Sequence, residues 1–380
     1  MSPTLQVLFL SSDSGGGHNA VAQSMIDGMR RHANLEADIL NVYQTRRLQL
    51  WPTLSKIRAN SQTIWRAIYQ TTDRKWLIRG VWKRLLPSFV KPLFRAVEER
   101  QASKEPDIVV AVHHASAQCL EPLANGMGRR PFTVVCVTDY DVHANWVAEA
   151  DLYLAASDIA FRKLASAGKR VIRLPMLPCR MPESVSSKTV EAENEAFKIV
   201  MVMGLEGSSQ NKARRLIDEL LKFPNRHNIQ VDVICGRNEK LKSRLDKEYQ
   251  GTGRVSVHGY VDDIPERMRQ ANLALIRLSP QTMTEALAAG TPVVGFDWHV
   301  HEAECLNVLH KFGAGTGSLD VSDTVKHVKA FLENDTLRER WYDQAFKASQ
   351  EASGSELTAR WILDRSNSAQ TTDNLCTRVG

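Results

Sequence analysis

A glycine-rich turn followed directly by a histidine is the part of the sequence best suited to chemistry. The apolar run at residues 5–10 leads through Gly15-Gly16-Gly17 to His18, and a helix is expected to begin near Asn19. Backbone N–H groups at such a helix start bind anions or oxyanions. A neutral imidazole, with a usual pKa of about 6.5, accepts protons at neutral pH. A lone histidine here more often only caps the helix, so both interpretations stay open on these residues.

The basic charge of the chain is concentrated in one tryptophan-rich segment. Between Arg46 and Arg100 there are thirteen basic and three acidic residues, so this segment carries +10 and the rest of the chain −4. Cations near an anionic lipid surface contribute about 1 kcal/mol each, and indole rings favour headgroup depth. Membrane-surface docking and a merely solvated helix face are equally compatible with this pattern. Nucleic-acid binding ranks behind them, because no nucleic-acid module surrounds the segment. The residues expected to contact the membrane are Trp65, Trp76, Arg79, Trp82, Lys83 and Arg84.

The length and composition indicate a two-domain globular protein. The chain has 380 residues, of which 43% are hydrophobic and 24% charged, and this excludes a chain that is disordered throughout. No apolar run reaches the roughly 18 residues of a membrane span, and the N-terminus lacks the basic region of a signal peptide. The six cysteines form no C-x-x-C pair, so reduced thiols in the cytoplasm are expected.

Strand and helix patterns alternate in both halves of the chain, which predicts two α/β domains with parallel sheets. The predicted strands are 5–10, 38–42, 107–112, 132–137, 151–154 and 170–174, then 198–203, 230–235, 255–258, 273–276 and 292–296; the clearest helices are 19–32, 212–223, 322–333 and 335–364. A polar linker at 178–196 separates an N-terminal domain (1–180) from a C-terminal domain (197–345). A helix at 346–365 is expected to return to the first domain, before a loose tail at 366–380. Ligands of such sheets bind outside the carboxyl ends of strands, so both domains should present loops to a central cleft.

Seven short motifs follow one another along the chain: Ser12–Ala20, Asp107–His113, Thr138–Trp146, Cys235–Asn238, Gly259–Val261, Thr282–Ala286 and Gly290–Pro292. In type and order they resemble the diacylglycerol glycosyltransferases, over about residues 5–350. This family includes bacterial processive diacylglycerol glucosyltransferases and monogalactosyldiacylglycerol synthases, relatives of the MurG glycosyltransferase in family 28.

The resemblance implies a GT-B fold, with two Rossmann-like domains, and an inverting glycosyltransferase. Such an enzyme moves glucose or galactose from a UDP-sugar to the hydroxyl of diacylglycerol or a glycosyl-diacylglycerol. It would act at the inner face of the cell membrane as a peripheral protein, with UDP-hexose as co-substrate, no other cofactor and no nucleic-acid partner. Two alternatives remain. One is a GT-B enzyme for another lipid-linked acceptor or a UDP-sugar epimerase; the other is a degenerate, non-catalytic binding protein.

The resemblance also assigns roles in the N-terminal half. His18 matches the family's loop histidine and is the expected general base for the acceptor hydroxyl. Asp139 is expected to orient that base or the acceptor. The other positions matched on the acceptor side are Gly16, Gly17, His113 and His143.

In the C-terminal half, Glu285 matches the glutamate that accepts hydrogen bonds from the uridine ribose hydroxyls. A helix-surface glutamate in the first turn is the alternative, and the matched frame of Thr282 and Gly290 favours ribose binding. The other positions matched at the UDP-sugar site are Gly204, Glu206, Gly236, Arg237, Ser279, Gln281, Thr282, His301 and Glu302.

Three segments depart from the family pattern, and one of them is Arg173–Pro178, which lacks the arginine of the family's Gly-Ile-Pro-Ile-Arg-Pro. Ser279-Pro280-Gln281-Thr282 stands where the family has Gly-Pro-Gly-Thr, and His299-Val300-His301-Glu302 stands where it has Pro-Gly-Gln-Glu, which holds the transferred sugar. These changes leave the donor sugar open. Asp139-Tyr140-Asp141 has the D-x-D spacing of metal sites in another glycosyltransferase fold. GT-B enzymes use helix dipoles and side chains on the diphosphate instead, so no metal is expected.

Overall fold

Two sheets of six parallel strands form the framework of the protein. The computed structural model describes residues 4–12, 16–42, 66–67, 69–71, 73, 80, 91–93, 95–97, 99, 105–189, 196–203, 207–224, 228–352, 356, 358–364 and 366. Backbone contacts divide these residues into two compact units. The first contains those up to Arg180 and those from 356 onward, and the second contains those between Met181 and Ala352. The predicted α/β class with parallel sheets is confirmed.

The first unit has strands β1 (Leu5–Ser11), β2 (Leu35–Asn41), β3 (Ile108–Ala111), β4 (Phe132–Cys136), β5 (Leu152–Ala155) and β6 (Val171–Arg173). Their order is β2-β1-β3-β4-β5-β6, and all five pairings are parallel. The helices with defined bounds are α1 (Gly16–Arg30), α2 (His114–Asn125) and α3 (Asp158–Ser166), with a 3-10 turn at Ala144–Trp146. Strands β3 and β4 are wholly buried, which explains why the sequence presents them as continuous apolar runs.

The second unit repeats the plan with β7 (Phe197–Val202), β8 (Ile229–Ile234), β9 (Val255–His258), β10 (Leu273–Arg277), β11 (Val293–Asp297) and β12 (Gly315–Gly317). Their order is β12-β11-β10-β7-β8-β9, again all parallel. Its helices are α4 (Gly207–Leu221), α5 (Glu239–Tyr249), α6 (Ile264–Gln270), α7 (Pro280–Ala288), α8 (Glu304–Phe312), α9 (Val321–Glu333) and α10 (Asp335–Glu351), with a 3-10 turn at Val300–Glu302.

Several boundaries differ from the sequence expectation: α4, predicted at 212–223, is Gly207–Leu221, and β2, predicted at 38–42, is Leu35–Asn41. Helix α1 begins at Gly16, so His18 lies in the first helical turn and not in the preceding loop. The helix expected over 335–364 ends at Glu351, because Ala352 leaves the helical conformation with ψ 78°. The serine and glycine residues at 353–355 have low helix propensity. Strand β12 was not predicted, since its Gly-Thr-Gly sequence carries no apolar pattern.

All six predicted membrane contacts lie outside the described part of the chain. They are Trp65, Trp76, Arg79, Trp82, Lys83 and Arg84. Among the described residues, no helix combines the length and the apolar character needed to cross a bilayer. Membrane docking therefore stays a prediction.

Candidate functional site

Each sheet has one point where the chain reverses its direction of travel across the strands. In the first unit this point lies between β1 and β3, and in the second between β7 and β10. The segments that follow two such strands diverge, and open parallel sheets bind their ligands in the crevice that results. His18 follows β1, and Ser279 follows β10. The strand order thus brings predicted site residues to the switch point of each sheet.

His18 is held by groups that follow β3 and β4. Its Nδ1 lies 2.9 Å from the carbonyl oxygen of Val112 and 3.0 Å from Oγ1 of Thr138, which is itself 3.4 Å from that oxygen. A carbonyl oxygen only accepts, so Nδ1 must carry the proton and donate it. The neutral ring then has its lone pair on Nε2. This tautomer suits a side chain that accepts a proton through Nε2.

His113 is an N-cap. Its Nδ1 accepts a hydrogen bond from the backbone N–H of Ala115 at 3.1 Å, at the start of α2. The ring is 1% exposed and meets the His18 ring edge-on, with centroids 4.8 Å apart. Burial, reinforced by the neighbouring His114 and His18, holds the pKa of His113 well below its usual value. His113 is therefore a neutral, buried residue that packs behind His18.

His143 has the same role at the 3-10 turn Ala144–Trp146. Its Nδ1 accepts from the N–H of Asn145 at 3.1 Å, which leaves Nε2–H to donate to the carbonyl oxygen of Tyr69 at 3.1 Å. Burial lowers the pKa of His143, although the carboxylate of Asp73 at 4.0 Å acts in the opposite direction. Both histidines predicted on the acceptor side thus cap helical turns in the structure, and their contact with an acceptor stays a prediction.

Asp139 accepts a hydrogen bond at Oδ2 from the indole N–H of Trp146 at 2.9 Å. Trp146 is 1% exposed, so this bond satisfies a buried donor. Val112 and Thr138 contact His18, and the predicted role of Asp139 in orienting that base or the acceptor stays a prediction. Asp141, the second aspartate of the D-x-D spacing, pairs with Lys163 at 2.6 Å. Within the described part of the chain, no three His, Cys, Asp or Glu side chains form a group that could hold a metal ion; the absence of a metal requirement stays a prediction.

In the second unit, the first turns of α7 contain the predicted ribose-binding residues. Ser279 precedes the helix, and its hydroxyl donates to Oγ1 of Thr282 at 3.0 Å. Within α7, the side-chain amide of Gln281 donates to Oε1 of Glu285, one helical turn further along, at 3.0 Å. Glu285 is only 8% exposed, which argues against the helix-surface alternative. The two residues that replace family glycines, Ser279 and Gln281, therefore make side-chain hydrogen bonds within the predicted site.

The turn after β8 contains Gly236 and Arg237, which are predicted to lie at the UDP-sugar site. Gly236 has φ +57°, a backbone conformation that favours glycine. The guanidinium of Arg237 lies over the ring of Tyr260, 5.2 Å from its centroid, and both side chains are exposed. Gly204 and Glu206 lie outside the described residues. An exposed arginine–tyrosine pair is a flat surface on which a planar base can stack.

Glu302, predicted to contact the transferred sugar, is held by two hydrogen-bond donors. Its Oε2 accepts from Nη2 of Arg277 at 2.5 Å and from the backbone N–H of His299 at 2.7 Å. Burial by itself would raise the pKa of Glu302, but the charge of Arg277, helped by His301 and His299, lowers it below its usual value. The rings of His299 and His301 stack, with centroids 5.6 Å apart. The arginine and the backbone N–H thus favour the ionised form of this carboxylate and hold its Oε2 from two sides.

Comparison with known proteins matches two families in succession. The family model for monogalactosyldiacylglycerol (MGDG) synthase matches residues 18–172, and that for glycosyl transferases group 1 matches residues 190–348. A probable monogalactosyldiacylglycerol synthase 2 of Oryza sativa subsp. japonica is 26% identical, over 90% of this chain and 77% of the relative. A processive diacylglycerol beta-glucosyltransferase of Bacillus pumilus is 25% identical, over 77% of this chain and 78% of the relative. The resemblance to the diacylglycerol glycosyltransferases is confirmed.

Solved structures confirm the GT-B fold. MurG of Acinetobacter baumannii superposes with a TM-score of 0.58 at 13% identity, covering 95% of this chain and 100% of that one. The Medicago truncatula protein UGT71G1, complexed with UDP-glucose, gives 0.58 at 10% identity, covering 96% and 98%. A putative UDP-N-acetylglucosamine 2-epimerase of Listeria monocytogenes gives 0.60 at 13% identity, covering 95% of each chain. Transferases and an epimerase share this fold, so the fold alone leaves the reaction open.

One buried cluster in the second unit was not predicted from the sequence. Asp297, at the carboxyl end of β11, is completely buried and accepts from Ser209 at 2.5 Å and from the ammonium of Lys212 at 2.7 Å. Both donors lie in the first two turns of α4. Thr138 and Arg277 were also missed as partners of predicted residues. For Asp297 the sequence does contain a signal, because an acidic residue at the carboxyl end of a buried apolar strand lies where such sheets bind ligands.

Proposed function

We propose that the protein is an inverting glycosyltransferase that moves a hexose from a UDP-sugar to the hydroxyl of diacylglycerol or a glycosyl-diacylglycerol. The names of the relatives support the acceptor class, because both relatives act on or synthesise diacylglycerol glycolipids by name. The observation that carries the proposal is the 2.9 Å contact between Nδ1 of His18 and the carbonyl oxygen of Val112, from which we infer that Nδ1 carries the proton. An enzyme that activates a lipid hydroxyl needs a base, and with the proton on Nδ1 the basic lone pair of the neutral ring is on Nε2.

The proposed step is a single displacement. As the acceptor oxygen bonds to the anomeric carbon of the hexose, Nε2 of His18 takes the hydroxyl proton. The bond from the anomeric carbon to the diphosphate oxygen breaks, and UDP leaves with that electron pair. Attack on the face opposite the leaving group inverts the anomeric configuration. Glu285 would accept the ribose hydroxyls, and His301 with Glu302 would contact the transferred sugar.

An anionic lipid surface also fits the charge distribution of the chain. The +10 segment between Arg46 and Arg100 would attract the enzyme to an anionic bilayer, where its lipid acceptor is found. In this proposal the protein binds the inner face of the cell membrane peripherally. Binding would concentrate the enzyme on the surface that supplies its second substrate.

The test is product identification. Purified protein is incubated with vesicles that contain diacylglycerol and anionic lipid, together with UDP-glucose, UDP-galactose or UDP-N-acetylglucosamine, each with and without EDTA. The proposal expects a glycolipid whose mass equals diacylglycerol plus one or more hexoses, with a β linkage by NMR and equal yield in EDTA. Epimerised UDP-sugar without glycolipid would show an epimerase instead. Loss of activity in EDTA that manganese restores would contradict the metal-independent displacement.

A further inference from the structure

Arg277 is the last residue of β10, and an irregularity in the sheet sets its direction. The register between β10 and β11 shifts between Ile276 and Arg277, so that Arg277 pairs with Asp297. Such bulges redirect a side chain and are common next to binding sites. Here the guanidinium reaches Glu302, with Nη2 2.5 Å from Oε2. The arginine is 14% exposed and the glutamate 7%, so the pair is largely shielded from solvent.

Glu302 in turn closes the short turn that follows β11. The same Oε2 that accepts from Arg277 accepts the backbone N–H of His299, at 2.7 Å. The backbone N–H of Glu302 donates to the carbonyl oxygen of His299 at 2.9 Å. Two hydrogen bonds between Glu302 and the backbone of His299, one through the carboxylate and one through the backbone N–H, therefore close the 3-10 turn Val300–Glu302. His301 lies inside this turn, with Nε2 4.0 Å from Oε1 of Glu302.

We infer that Arg277 is a positioning residue for donor-sugar selection. It fixes the ionised carboxylate of Glu302, and through it the turn that presents His301 to the sugar. A buried ion pair is weak evidence for stability, because desolvation cancels much of the attraction. Here the ion pair instead fixes geometry. Glucose and galactose differ in the orientation of one hydroxyl, and a site distinguishes them only when the groups that bond to that hydroxyl are held to a fraction of an ångström. This inference rests on the proposed function.

The chain offers a conservative variant and a matched control. Arg277→Lys keeps the positive charge beside Glu302. It replaces the planar guanidinium, whose N–H donors have fixed directions, with a single ammonium that does not reproduce this geometry. Arg269→Lys makes the same exchange in another arginine–glutamate pair, Arg269 with Glu266 at 2.5 Å, on the surface of α6. Arg277→Gln, which keeps an N–H donor without charge, is the second variant in case lysine disturbs folding.

The experiment compares kcat/KM for UDP-glucose and UDP-galactose, with diacylglycerol vesicles as acceptor, and records the Kd for UDP alone and the melting temperature. Wild type and Arg269→Lys are expected to prefer one hexose at least tenfold. Arg277→Lys and Arg277→Gln should reduce that ratio below threefold, mainly through a higher KM for the preferred donor, with the UDP Kd within twofold of wild type.

The outcomes separate this inference from the proposed function. If both Arg277 variants keep the wild-type ratio, or only the melting temperature falls, then Arg277 has a structural role and the inference is overturned. A wild type that uses both hexoses equally overturns it as well. A wild type that produces no glycolipid from any UDP-hexose, although it binds UDP, contradicts the proposed function itself.

Discussion

The Nδ1 atom of His18 lies 2.9 Å from the carbonyl oxygen of Val112, in a contact between residues that are 94 positions apart in the sequence. Val112 directly follows β3, and His18 is in the first turn of the helix that follows β1. The contact therefore spans the switch point of the first sheet. It sets which nitrogen of the ring carries the proton, and this decides whether the side chain can act as a base.

Replacing His18 tests that role. His18→Ala should reduce glycolipid turnover by about 10²–10⁴-fold, the usual contribution of a general base. His18→Gln keeps a polar side chain with an N–H donor but has no basic nitrogen, so it should lose as much. The measurement is kcat on diacylglycerol vesicles, together with the Kd for UDP, which should not change. His32→Ala, an exposed histidine just after the same helix, is the control and should keep its activity. Turnover near wild type in His18→Gln would remove His18 from catalysis.

Most of the strands were predictable because a strand buried in a parallel sheet is a continuous apolar run. Residues 108–111 and 132–136 are of this kind, and both are buried throughout. Strand Gly315–Gly317 has no such run and exists through its pairing with β11. The start of α1 at Gly16 was missed because glycine disfavours helices, although its cost is small at a first turn.

The contacts of the candidate site were less predictable than its residues. His18 and Thr138 are 120 positions apart in the sequence. They approach because the strand order β1-β3-β4 brings the residues that follow β1 and β4 to the same edge of the sheet, on either side of β3. Arg277 reaches Glu302 through a bulge that no motif signals. A motif can identify a residue type that suits a role. The partner of that residue depends on strand order and register, which the local sequence does not encode.

Glu285 should determine donor affinity. Glu285→Ala removes a buried carboxylate, and hydrogen bonds to charged groups contribute about 1.5–3 kcal/mol each. The Kd for UDP, measured by calorimetry, should therefore rise about tenfold or more, while binding to anionic vesicles stays the same. Glu266→Ala, on the surface of α6, is the matched control and should leave the Kd unchanged. Unaltered UDP affinity in Glu285→Ala would contradict the ribose assignment.

Stability should fall on acidification through His113. Its pKa lies well below the usual 6.5 in the folded state because the ring is buried. Below about pH 6.5 the unfolded chain binds a proton that the folded chain does not. The contribution of neutral His113 to the free energy of unfolding is therefore complete above that pH. As the pH falls toward the pKa of the folded state, this contribution is lost at up to about 1.4 kcal/mol per pH unit.

The variant His113→Asn isolates this effect, because asparagine can still cap α2 but does not titrate. Urea unfolding of the first unit at pH 7.5 and 5.5 should show a smaller loss of free energy of unfolding in the variant than in wild type. His32→Asn should retain the wild-type loss. An identical pH dependence in His113→Asn and wild type would show that His113 is protonated without cost.

The basic segment should bind anionic lipid. Exchanging Arg79, Lys83 and Arg84 for glutamine removes three positive charges, each contributing about 1 kcal/mol near an anionic surface. Cosedimentation with vesicles containing anionic lipid should fall sharply, and the difference should shrink at high salt because the attraction is screened. Exchanging Lys240, Lys242 and Lys247 of α5 for glutamine is the control. Equal sedimentation of both triple variants would assign the segment to a solvated face.

Asp297 should anchor the start of α4. Asp297→Ala leaves Ser209 and Lys212 without their shared acceptor, and should lower the free energy of unfolding of the second unit by about 1–3 kcal/mol. Lys212 is 25% exposed and can turn toward water, which limits the cost. Asp297→Asn keeps an acceptor for Ser209 and should lose less.

The contrast with a surface pair makes this measurement decisive. Asp263 bonds to Arg267 at 2.8 Å but is 53% exposed, so Asp263→Asn should change the free energy of unfolding by less than about 1 kcal/mol. Urea unfolding followed by fluorescence reports both variants, with the second-unit transition fitted separately because two units need not unfold together. If Asp297→Ala and Asp263→Asn lower the free energy of unfolding equally, the buried Asp297 cluster stabilises the unit no more than a surface pair does. The position of α4 would then depend on its apolar contacts alone.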